Sequence, residues 1–329
     1  MINIVFHGQN ASNYLDTFRE ALQHPATITR LPDTLENPAD IAAFANAEVV
    51  VGNHFNKHLP LPARLGLFQS CATGIDRIDL AALPRSVAVC NCYGHGEAMA
   101  EFVMAAMLSK RVPLADADAK LRQGVWRYRS GDLDALHGEV CQTTLGLLGY
   151  GHIAQAIAER AKPFGMRVLA ANRSEIAVSA SVDAWHGLDD LDDFYRKSDF
   201  IVVSLPLTER TQSMVDARAF SLMRPQAVII NVGRGPVIEE QALYDALSQK
   251  AIGGAVIDTW YRYPAHASDT GRPASLPFEK LDNVLMTPHM SAWTDGTIRR
   301  RGQAMAANVD AYCEGRPLAH EVRPSASQG

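Results

Sequence analysis

A glycine-containing turn at residues 149–154 constrains the fold of this chain more than any other short segment. The turn reads GYGHIA; it follows an apolar run, TLGLL, and precedes a helical pattern, HIAQAIAERAKPFG. Gly149 permits a tight turn, Gly151 lets the backbone approach a pyrophosphate, and Ala154 lets the helix pack on the strand. The N-terminus of that helix would face the phosphate charge. The segment therefore predicts a dinucleotide site, and the alternative is a tight βα turn without a ligand.

Short apolar runs alternate with helical patterns along the rest of the chain. The predicted strands are INIVFHG at the N-terminus and the segments 48–52, 65–70, 87–91, 144–150, 167–171, 200–206, 227–233, 253–258 and 283–288. This alternation predicts an α/β protein with parallel sheets covered by helices. A length of 329 residues exceeds a comfortable single core, so two domains are expected.

Two helices stand out from this alternating pattern. Residues 97–108, EAMAEFVMAAML, are apolar on nearly every side, which predicts a helix buried all round. Glu97 and Glu101 alone interrupt the pattern, and their spacing places them on one face. The last clear helical pattern covers about 294–313 and would return the chain to the first domain.

The composition excludes several classes of protein. The formal net charge is −5 and no basic stripe is visible, which argues against nucleic acid as a partner. We find neither a secretion signal nor an apolar run of the roughly 18 residues that span a bilayer. The five cysteines are odd in number and show no disulfide or metal-site spacing. We therefore expect reduced thiols, a cytoplasmic location, no metal and no membrane partner.

The residues after the strand at 167–171 bear on which dinucleotide binds. Asn172, Arg173 and Ser174 stand where an acid usually binds the ribose 2′-hydroxyl. A neutral residue followed by arginine suits a 2′-phosphate, because a guanidinium pairs with phosphate bidentately. The sequence thus favours NADP(H) over NAD(H), unless Arg173 is simply an exposed side chain.

Polar residues also end three other predicted strands. Arg234 lies between glycines in INVGRGPVI, His289 follows a strand in TPHMSAWT, and the small-residue loop QSCATGIDRID ends a strand of the first domain. In open α/β sheets the carboxyl ends of the strands line the crevice where ligands bind. We therefore expect these three segments to form a site.

The sequence resembles the D-isomer-specific 2-hydroxyacid dehydrogenase family, which includes glyoxylate and hydroxypyruvate reductases. The motifs that carry the resemblance are TGIDRID, AMAEFVMA, LGLLGYGHIA, SLPLTERT, NVGRGPVI and TPHMSAW, in that order over about residues 45–310. The resemblance implies two Rossmann-like domains, a flavodoxin-like substrate domain and an NAD(P)-binding domain, with a cleft between them. It assigns residues 1–98 and 292–329 to the substrate domain and 99–291 to the dinucleotide domain. It also implies a homodimer.

The chemistry that the resemblance implies can be reasoned from the side chains. A 2-oxo acid presents a carboxylate and a carbonyl, which Arg234 can bind together. Backbone N–H groups of Ala72, Thr73, Gly74 and Ile75 can hold the other carboxylate oxygen, because small residues allow close approach. His289 can donate a proton as the alkoxide forms, or accept it in the oxidation direction.

The resemblance assigns further residues to the cofactor. They are Tyr150, His152 and Ile153 at the pyrophosphate, Leu205, Pro206, Thr208 and Thr211 on the adenosine side, and Asn231, Val232, Asp258, His289 and Ser291 at the nicotinamide.

The sequence departs from the family pattern at Tyr263. A glutamate that hydrogen-bonds the catalytic histidine usually stands five residues after the aspartate, but here Tyr263 occupies that position before Pro264. Formate dehydrogenases also lack this glutamate and share the long proline-containing loop that follows. A nearby carboxylate would raise the pKa of His289 by roughly 1–3 units, whereas a tyrosine hydroxyl would orient the ring without charge. We therefore expect the pKa of His289 to lie near its ordinary value, or lower if burial removes solvent, and reduction to be favoured at mildly acidic pH.

Three other residues are candidates for the substrate pocket. His95 stands where many family members have asparagine, and it either contacts the substrate or faces solvent from a loop. Trp293 and Trp260 are candidate pocket walls, with ordinary packing as the alternative.

These observations predict an NADPH-preferring oxidoreductase acting on a small 2-oxo or D-2-hydroxy acid of the glyoxylate or hydroxypyruvate type. The catalytic residues would be Arg234, His289 and Tyr263, and Ala72, Thr73, Gly74, His95 and Trp293 would bind the substrate. Two alternatives stay open: a formate-type dehydrogenase, and a non-catalytic dinucleotide sensor resembling the family's transcriptional corepressors.

Overall fold

The structure is a computed structural model and describes residues 1–264 and 269–323. The strands are β1 (Ile2–His7), β2 (Ala26–Leu31), β3 (Val49–Gly52), β4 (Leu67–Ser70), β5 (Ala88–Cys90), β6 (Thr144–Leu148), β7 (Arg167–Asn172), β8 (Ala184–Gly187), β9 (Phe200–Val203), β10 (Val228–Asn231), β11 (Gly254–Ile257), β12 (Val284–Met286) and β13 (Glu321–Arg323). The helices are α1 (Gln9–Ser12), α2 (Leu15–Ala21), α3 (Pro38–Ala45), α4 (Gly96–Arg111), α5 (Leu114–Leu121), α6 (His152–Ala161), α7 (Asp192–Lys197), α8 (Ala217–Leu222), α9 (Glu240–Ser248) and α10 (Asp295–Cys313). The chain divides into two compact units, 1–95 with 293–329, and 96–292.

The first unit is built on a six-stranded sheet in the order β13-β5-β4-β3-β1-β2. Its first five strands run parallel, and β13 pairs antiparallel with β5. The order 2-1-3-4-5 is that of flavodoxin-like folds. Helix α10 packs on α2 at one face, where Met305, Ala306 and Val309 join the buried residues of β1, β3 and β4.

The second unit is built on a seven-stranded parallel sheet in the order β12-β11-β10-β9-β6-β7-β8. Counted from its own first strand, this is the 3-2-1-4-5-6 order of dinucleotide-binding folds with one added edge strand. The central strands β9 and β10 are fully buried, as expected for strands covered by helices on both faces. Helices α4 and α6 cover one face together. The α/β class with parallel sheets is thereby confirmed.

The structure corrects two details of the prediction. Helix α4 is not buried all round, because Glu97, Glu101 and Ala105 form an exposed stripe at a spacing of four. Three strands, β2, β8 and β13, were not predicted, because their short segments carry too little apolar alternation.

No helix of the described residues is both long enough and apolar enough to cross a membrane. The loop after Pro264 lies partly outside the described residues, at 265–268.

Candidate active site

The turn after β6 has the backbone that its glycines predict. Gly149 adopts φ 92°, and a Cβ there would lie 3.2 Å from the Leu205 backbone nitrogen, so any other residue would be strained. Gly151 caps α6 with an extended backbone, and a Cβ there would meet no atom within 4 Å. Ala154 is fully buried against the sheet. Open space at Gly151, beside the N-terminus of a ten-residue helix, fits a bound pyrophosphate.

The segment after β9 lies against this turn. The Ser204 hydroxyl donates to the Gly149 carbonyl at 3.2 Å, and Leu205 is buried beside Gly149. The Thr211 hydroxyl donates to the Pro206 carbonyl at 2.6 Å and accepts from the Thr208 N–H at 2.8 Å. Thr211 is therefore a buried brace of this loop, while Pro206 and Thr208 are exposed. Of the residues predicted for the adenosine side, those two have free surface to offer a ligand.

The end of β7 presents the three residues predicted to select the cofactor. The Asn172 side chain donates to the Ser174 carbonyl at 3.2 Å, which closes a short turn. Arg173 and Ser174 are exposed at its tip. Among the described residues, none forms a hydrogen bond or an ion pair with the Arg173 guanidinium, so the cation is available at the edge of the sheet.

Arg234 is presented by a turn that closes immediately after β10. The buried Asn231 side chain accepts from the Gly233 N–H at 3.1 Å and donates to the Arg234 carbonyl at 3.1 Å. Gly235 lies so close to Trp260 that a Cβ would be 2.4 Å from the Trp260 carbonyl oxygen. The Val232 N–H donates to the Val203 carbonyl at 3.1 Å, so the Val232 carbonyl is the backbone group that it could offer to the nicotinamide. The glycine after Arg234 therefore reflects close backbone approach, and the turn fixes the arginine half-exposed at the strand end.

The carboxylate of Asp258 anchors the loop that carries His289. It is fully buried, and its Oδ1 accepts from the Thr287 hydroxyl at 2.7 Å and from the Met290 N–H at 2.8 Å. Its Oδ2 accepts from the Ser291 N–H at 3.0 Å. His289 itself has φ 60°, a left-handed backbone that a non-glycine residue keeps only when its surroundings enforce it. Asp258 thus positions the histidine through its neighbours; its predicted contact with the nicotinamide stays a prediction.

Tyr263 contacts His289 through its ring and not through its hydroxyl. The two ring centroids are 5.5 Å apart and the planes are inclined at 49°. The Tyr263 hydroxyl accepts from the Trp260 N–H at 3.0 Å. No described residue hydrogen-bonds the His289 imidazole. The expectation that a tyrosine hydroxyl orients this imidazole is therefore wrong for this conformation, because the hydroxyl is bound to the backbone of its own loop.

The electrostatic environment lowers the pKa of His289 below its ordinary 6.5. Loss of solvent around the ring is the main cause; the Asp258 carboxylate opposes it, and the Arg234 guanidinium adds to it. Burial also raises the pKa of Tyr263, so its hydroxyl is neutral near pH 7. The imidazole is consequently mostly uncharged at neutral pH.

Ser291 presents a buried polar atom that a bound ligand could satisfy. The Ser291 hydroxyl oxygen is buried and has no hydrogen-bond partner among the described residues, which leaves a polar atom for a ligand to satisfy. Within the described part of the chain, no group of three or more His, Cys, Asp or Glu side chains is placed to hold a metal ion. Together with the space at Gly151, this arrangement fits a nicotinamide dinucleotide.

In the first unit, the loop after β4 has three backbone donors to offer. The Ala72 N–H donates to the Ser70 hydroxyl at 3.1 Å, but no described residue accepts from the N–H of Thr73, Gly74 or Ile75. The loop is braced by the Thr73 hydroxyl, which donates to the Cys92 carbonyl at 2.8 Å, and by Asn91, which donates to the Thr73 carbonyl at 3.0 Å. Of the four predicted carboxylate donors, Thr73, Gly74 and Ile75 therefore have an N–H to offer, and Ala72 is already bonded.

His95 and the two tryptophans lie in different surroundings. His95 is buried, within 3.5 Å of the Thr73 hydroxyl, and does not face solvent. Trp293 is half exposed, with its ring edge toward Tyr14. Trp260 is buried, donates to the Thr287 carbonyl at 2.8 Å and packs on Phe278, as the alternative of ordinary packing predicts. The bracing roles of Thr287 and Asn231 were not predicted; Asn231 ends β10 and Thr287 follows β12, and this position at a strand end was the signal in the sequence.

Curated relatives match most of the chain. A glyoxylate reductase of Thermococcus gammatolerans is 32% identical over 288 residues, covering 85% of this chain and 82% of that protein. A D-3-phosphoglycerate dehydrogenase of Methanocaldococcus jannaschii is 31% identical over 257 residues, and the match spans only 46% of its greater length.

Solved structures match nearly the whole chain. A D-isomer specific 2-hydroxyacid dehydrogenase family protein from Aeromonas salmonicida is 27% identical with a TM-score of 0.78, over 98% of both chains. An acyclic imino acid reductase, solved with NADPH and D-Arg, is 25% identical with a TM-score of 0.75, over 98% of this chain and 100% of that one. The family model for the D-isomer specific 2-hydroxyacid dehydrogenase NAD binding domain matches residues 102–291. The chain therefore belongs to the D-isomer specific 2-hydroxyacid dehydrogenases, and it is an oxidoreductase that uses a nicotinamide cofactor.

Proposed function

We propose that the protein is an NADPH-preferring reductase of small 2-oxo acids of the glyoxylate or hydroxypyruvate type. The observation that carries the proposal is the placement of Arg234 and His289 at the carboxyl edge of one sheet, with the histidine loop fixed by buried Asp258. A carboxylate-binding cation and an acid–base group are the two functions that reduction of a 2-oxo acid requires. The relative named glyoxylate reductase supports the substrate class.

The roles of the residues follow from the chemistry of the carbonyl. When bound, the nicotinamide supplies the hydride for the carbonyl carbon. Arg234 holds the carboxylate and polarises the carbonyl oxygen. Protonated His289 delivers a proton from a ring nitrogen as negative charge develops on that oxygen, and neutral His289 accepts the proton in the reverse direction. Asp258 keeps the histidine loop in place and, as a nearby anion, opposes the loss of the imidazolium.

Preference for NADPH rests on the exposed Arg173. Its guanidinium has no partner among the described residues, and a 2′-phosphate would provide one. The residue at the end of β7 is Asn172, which is neutral and does not itself repel that phosphate. The acyclic imino acid reductase solved with NADPH supports the same preference.

We further propose that the first unit contributes substrate contacts and the second holds the dinucleotide. The unpaired N–H groups of Thr73 and Gly74 would bind a carboxylate oxygen, with His95 and Trp293 as additional contacts. The cofactor would be held by the turn 149–153 and the residues that follow β7, β9, β10, β11 and β12.

A homodimer is the proposed assembly, supported by an exposed apolar segment. Residues 112–136 carry Leu114, Leu121, Val125, Trp126, Leu133 and Leu136, with Trp126 exposed by 70% and Leu133 by 83%. Apolar patches of this kind mark interaction surfaces.

All five cysteines are free thiols, which supports the cytoplasm as the location of the protein.

The decisive assay is the loss of absorbance at 340 nm with NADPH or NADH and a panel of 2-oxo acids, together with formate oxidation. Turnover of a 2-oxo acid with a lower KM for NADPH supports the proposal. Oxidation of formate alone would support the formate-type alternative, which the missing glutamate and the proline-containing loop favour. Tight NADPH binding without any turnover would support a sensor.

A further inference from the structure

No carboxylate of a described residue hydrogen-bonds the His289 imidazole. Tyr263 packs against the imidazole at the position where the family pattern has a glutamate, and its hydroxyl accepts from the Trp260 N–H. Asp258 is the carboxylate that acts on the imidazole, but its two oxygens already accept three hydrogen bonds from Thr287, Met290 and Ser291. At neutral pH the imidazole is therefore better suited to accept a hydrogen bond than to give up a proton.

Reduction of 2-oxo acids and reduction of 2-imino acids require different protonation states of His289. Hydride addition to a 2-oxo acid creates an alkoxide, which needs a proton in the same step. Hydride addition to a protonated 2-imino acid creates a neutral amine, because the iminium nitrogen brought its proton with it. The second reaction needs a carboxylate clamp and an acceptor for an iminium N–H, and it needs no general acid.

We propose that this protein also reduces 2-imino acids to 2-amino acids, with neutral His289 accepting a hydrogen bond from the iminium N–H. The inference rests on the carboxylate clamp and the nicotinamide cofactor of the proposed function. The hydride of NADPH forms the new C–H bond, the C=N π electrons become the nitrogen lone pair, and NADP⁺ is the oxidised product. The amine then takes its final proton from water.

The charges around the imidazole are compatible with a cationic C=N group. Arg234 is a cation, but the carboxylate that it binds neutralises it. Asp258 is an anion beside the imidazole. The neutral Tyr263 ring lies 5.5 Å from the imidazole and adds no positive charge there.

Tyr263 is then a residue that determines substrate class. A glutamate at this position would hold His289 as imidazolium, which repels an iminium and can only donate. Tyrosine leaves the ring neutral and able to accept. Tyrosine in place of glutamate thereby favours reduction of a C=N group over reduction of a C=O group at alkaline pH.

The first test incubates the protein with NADPH and glyoxylate, pyruvate or hydroxypyruvate at pH 8.5, with ammonium chloride or with sodium chloride at equal ionic strength. Imines form reversibly in the ammonium samples. We expect ammonium to increase NADPH oxidation at least tenfold and the product, separated by chiral chromatography, to be one enantiomer of the amino acid. Hydroxy acid as the sole product in both salts overturns this inference and leaves the proposed function intact. No turnover in either salt overturns both.

The second test compares Tyr263→Glu with Tyr263→Gln, which loses the same ring and hydroxyl without adding charge. The ratio of amino acid to hydroxy acid at pH 8.5 should be at least tenfold lower in the glutamate variant, since one pKa unit of the histidine changes its protonated fraction about tenfold. Equal ratios in the two variants contradict the assigned role of Tyr263.

A third measurement needs no turnover. The imidazole of His289 is titrated by NMR in the protein with labelled histidine, and the signal is assigned by its loss in His289→Asn. A midpoint below 6.5 supports the inference, and a midpoint above 7.5 overturns it because the ring would then be a donor at neutral pH. The glutamate variant should move this midpoint upward.

Discussion

The Tyr263 ring lies 5.5 Å from the His289 ring, while its hydroxyl is bound at 3.0 Å to the Trp260 N–H. The tyrosine therefore shields the histidine from solvent without supplying a charge or a hydrogen bond. Loss of solvent disfavours the imidazolium, and the pKa of His289 falls below 6.5.

The pH profile of 2-oxo acid reduction follows from this pKa. Reduction requires the imidazolium, so kcat/KM should decrease tenfold for each pH unit above the pKa of His289, which lies below 6.5. Tyr263→Phe should leave the pH at which kcat/KM begins to decrease unchanged, because the hydroxyl does not bind the imidazole. Steady-state kinetics from pH 5 to 9 give the answer, and a constant rate up to about pH 9 contradicts it.

Asp258→Asn should loosen the loop that carries His289. An amide NH₂ cannot accept from both the Met290 and Ser291 N–H groups, so one buried donor loses its partner at a cost of about 1–3 kcal/mol. We expect kcat to fall at least tenfold and Tm to decrease by several degrees. Asp193→Asn, a change at an exposed helical ion pair, is the matched control and should alter neither. Unchanged kcat in Asp258→Asn shows that the anchor is dispensable.

Gly151→Val should separate cofactor binding from folding. A side chain at residue 151 enters empty space, so thermal stability should be nearly unchanged, while the approach of a pyrophosphate is blocked. The dissociation constant of NADPH, measured by fluorescence titration, should rise more than tenfold. Gly149→Ala should instead lower Tm, because residue 149 has φ 92° and contacts Leu205. Normal NADPH affinity in Gly151→Val argues against this turn as the phosphate site.

Arg173→Ala should reduce the preference for NADPH. Loss of a charge-assisted pair with the 2′-phosphate costs about 1.5–3 kcal/mol, equivalent to a KM for NADPH about ten- to a hundredfold higher. The KM for NADH should stay the same, since NADH has no phosphate at that position. Equal changes with both cofactors point to a general loss of binding and contradict the proposed contact.

His7 should make the first unit sensitive to acid. It is fully buried next to Phe44 and His54, and burial lowers its pKa to about 4. Between pH 6.5 and 4 the unfolded chain binds the proton and the folded chain does not, so stability falls as the pH decreases through this range, by about 3 kcal/mol at most. His7→Phe should show a smaller difference in Tm between pH 7.5 and pH 5. An identical difference in both proteins shows that other groups control the acid sensitivity.

The sequence by itself determined the class of fold and predicted a small set of candidate site residues. Gly149, Gly151 and Ala154 have backbone requirements that are local, so a six-residue segment was enough to predict a βα turn with room for a pyrophosphate. Arg234 and His289 were predicted as site residues because polar residues at the ends of apolar strands converge on one edge of a parallel sheet.

The tertiary structure decided how those residues are held. The Asp258 carboxylate receives hydrogen bonds from residues 29–33 positions away, and Gly235 is required by the backbone of Trp260. The hydroxyl of Tyr263 accepts a hydrogen bond from the Trp260 N–H in its own loop and does not bind His289, which the spacing of residues in the sequence does not predict. Such contacts depend on the packing of segments distant in sequence, and in this protein that packing lowers the pKa of His289, the proposed acid–base residue.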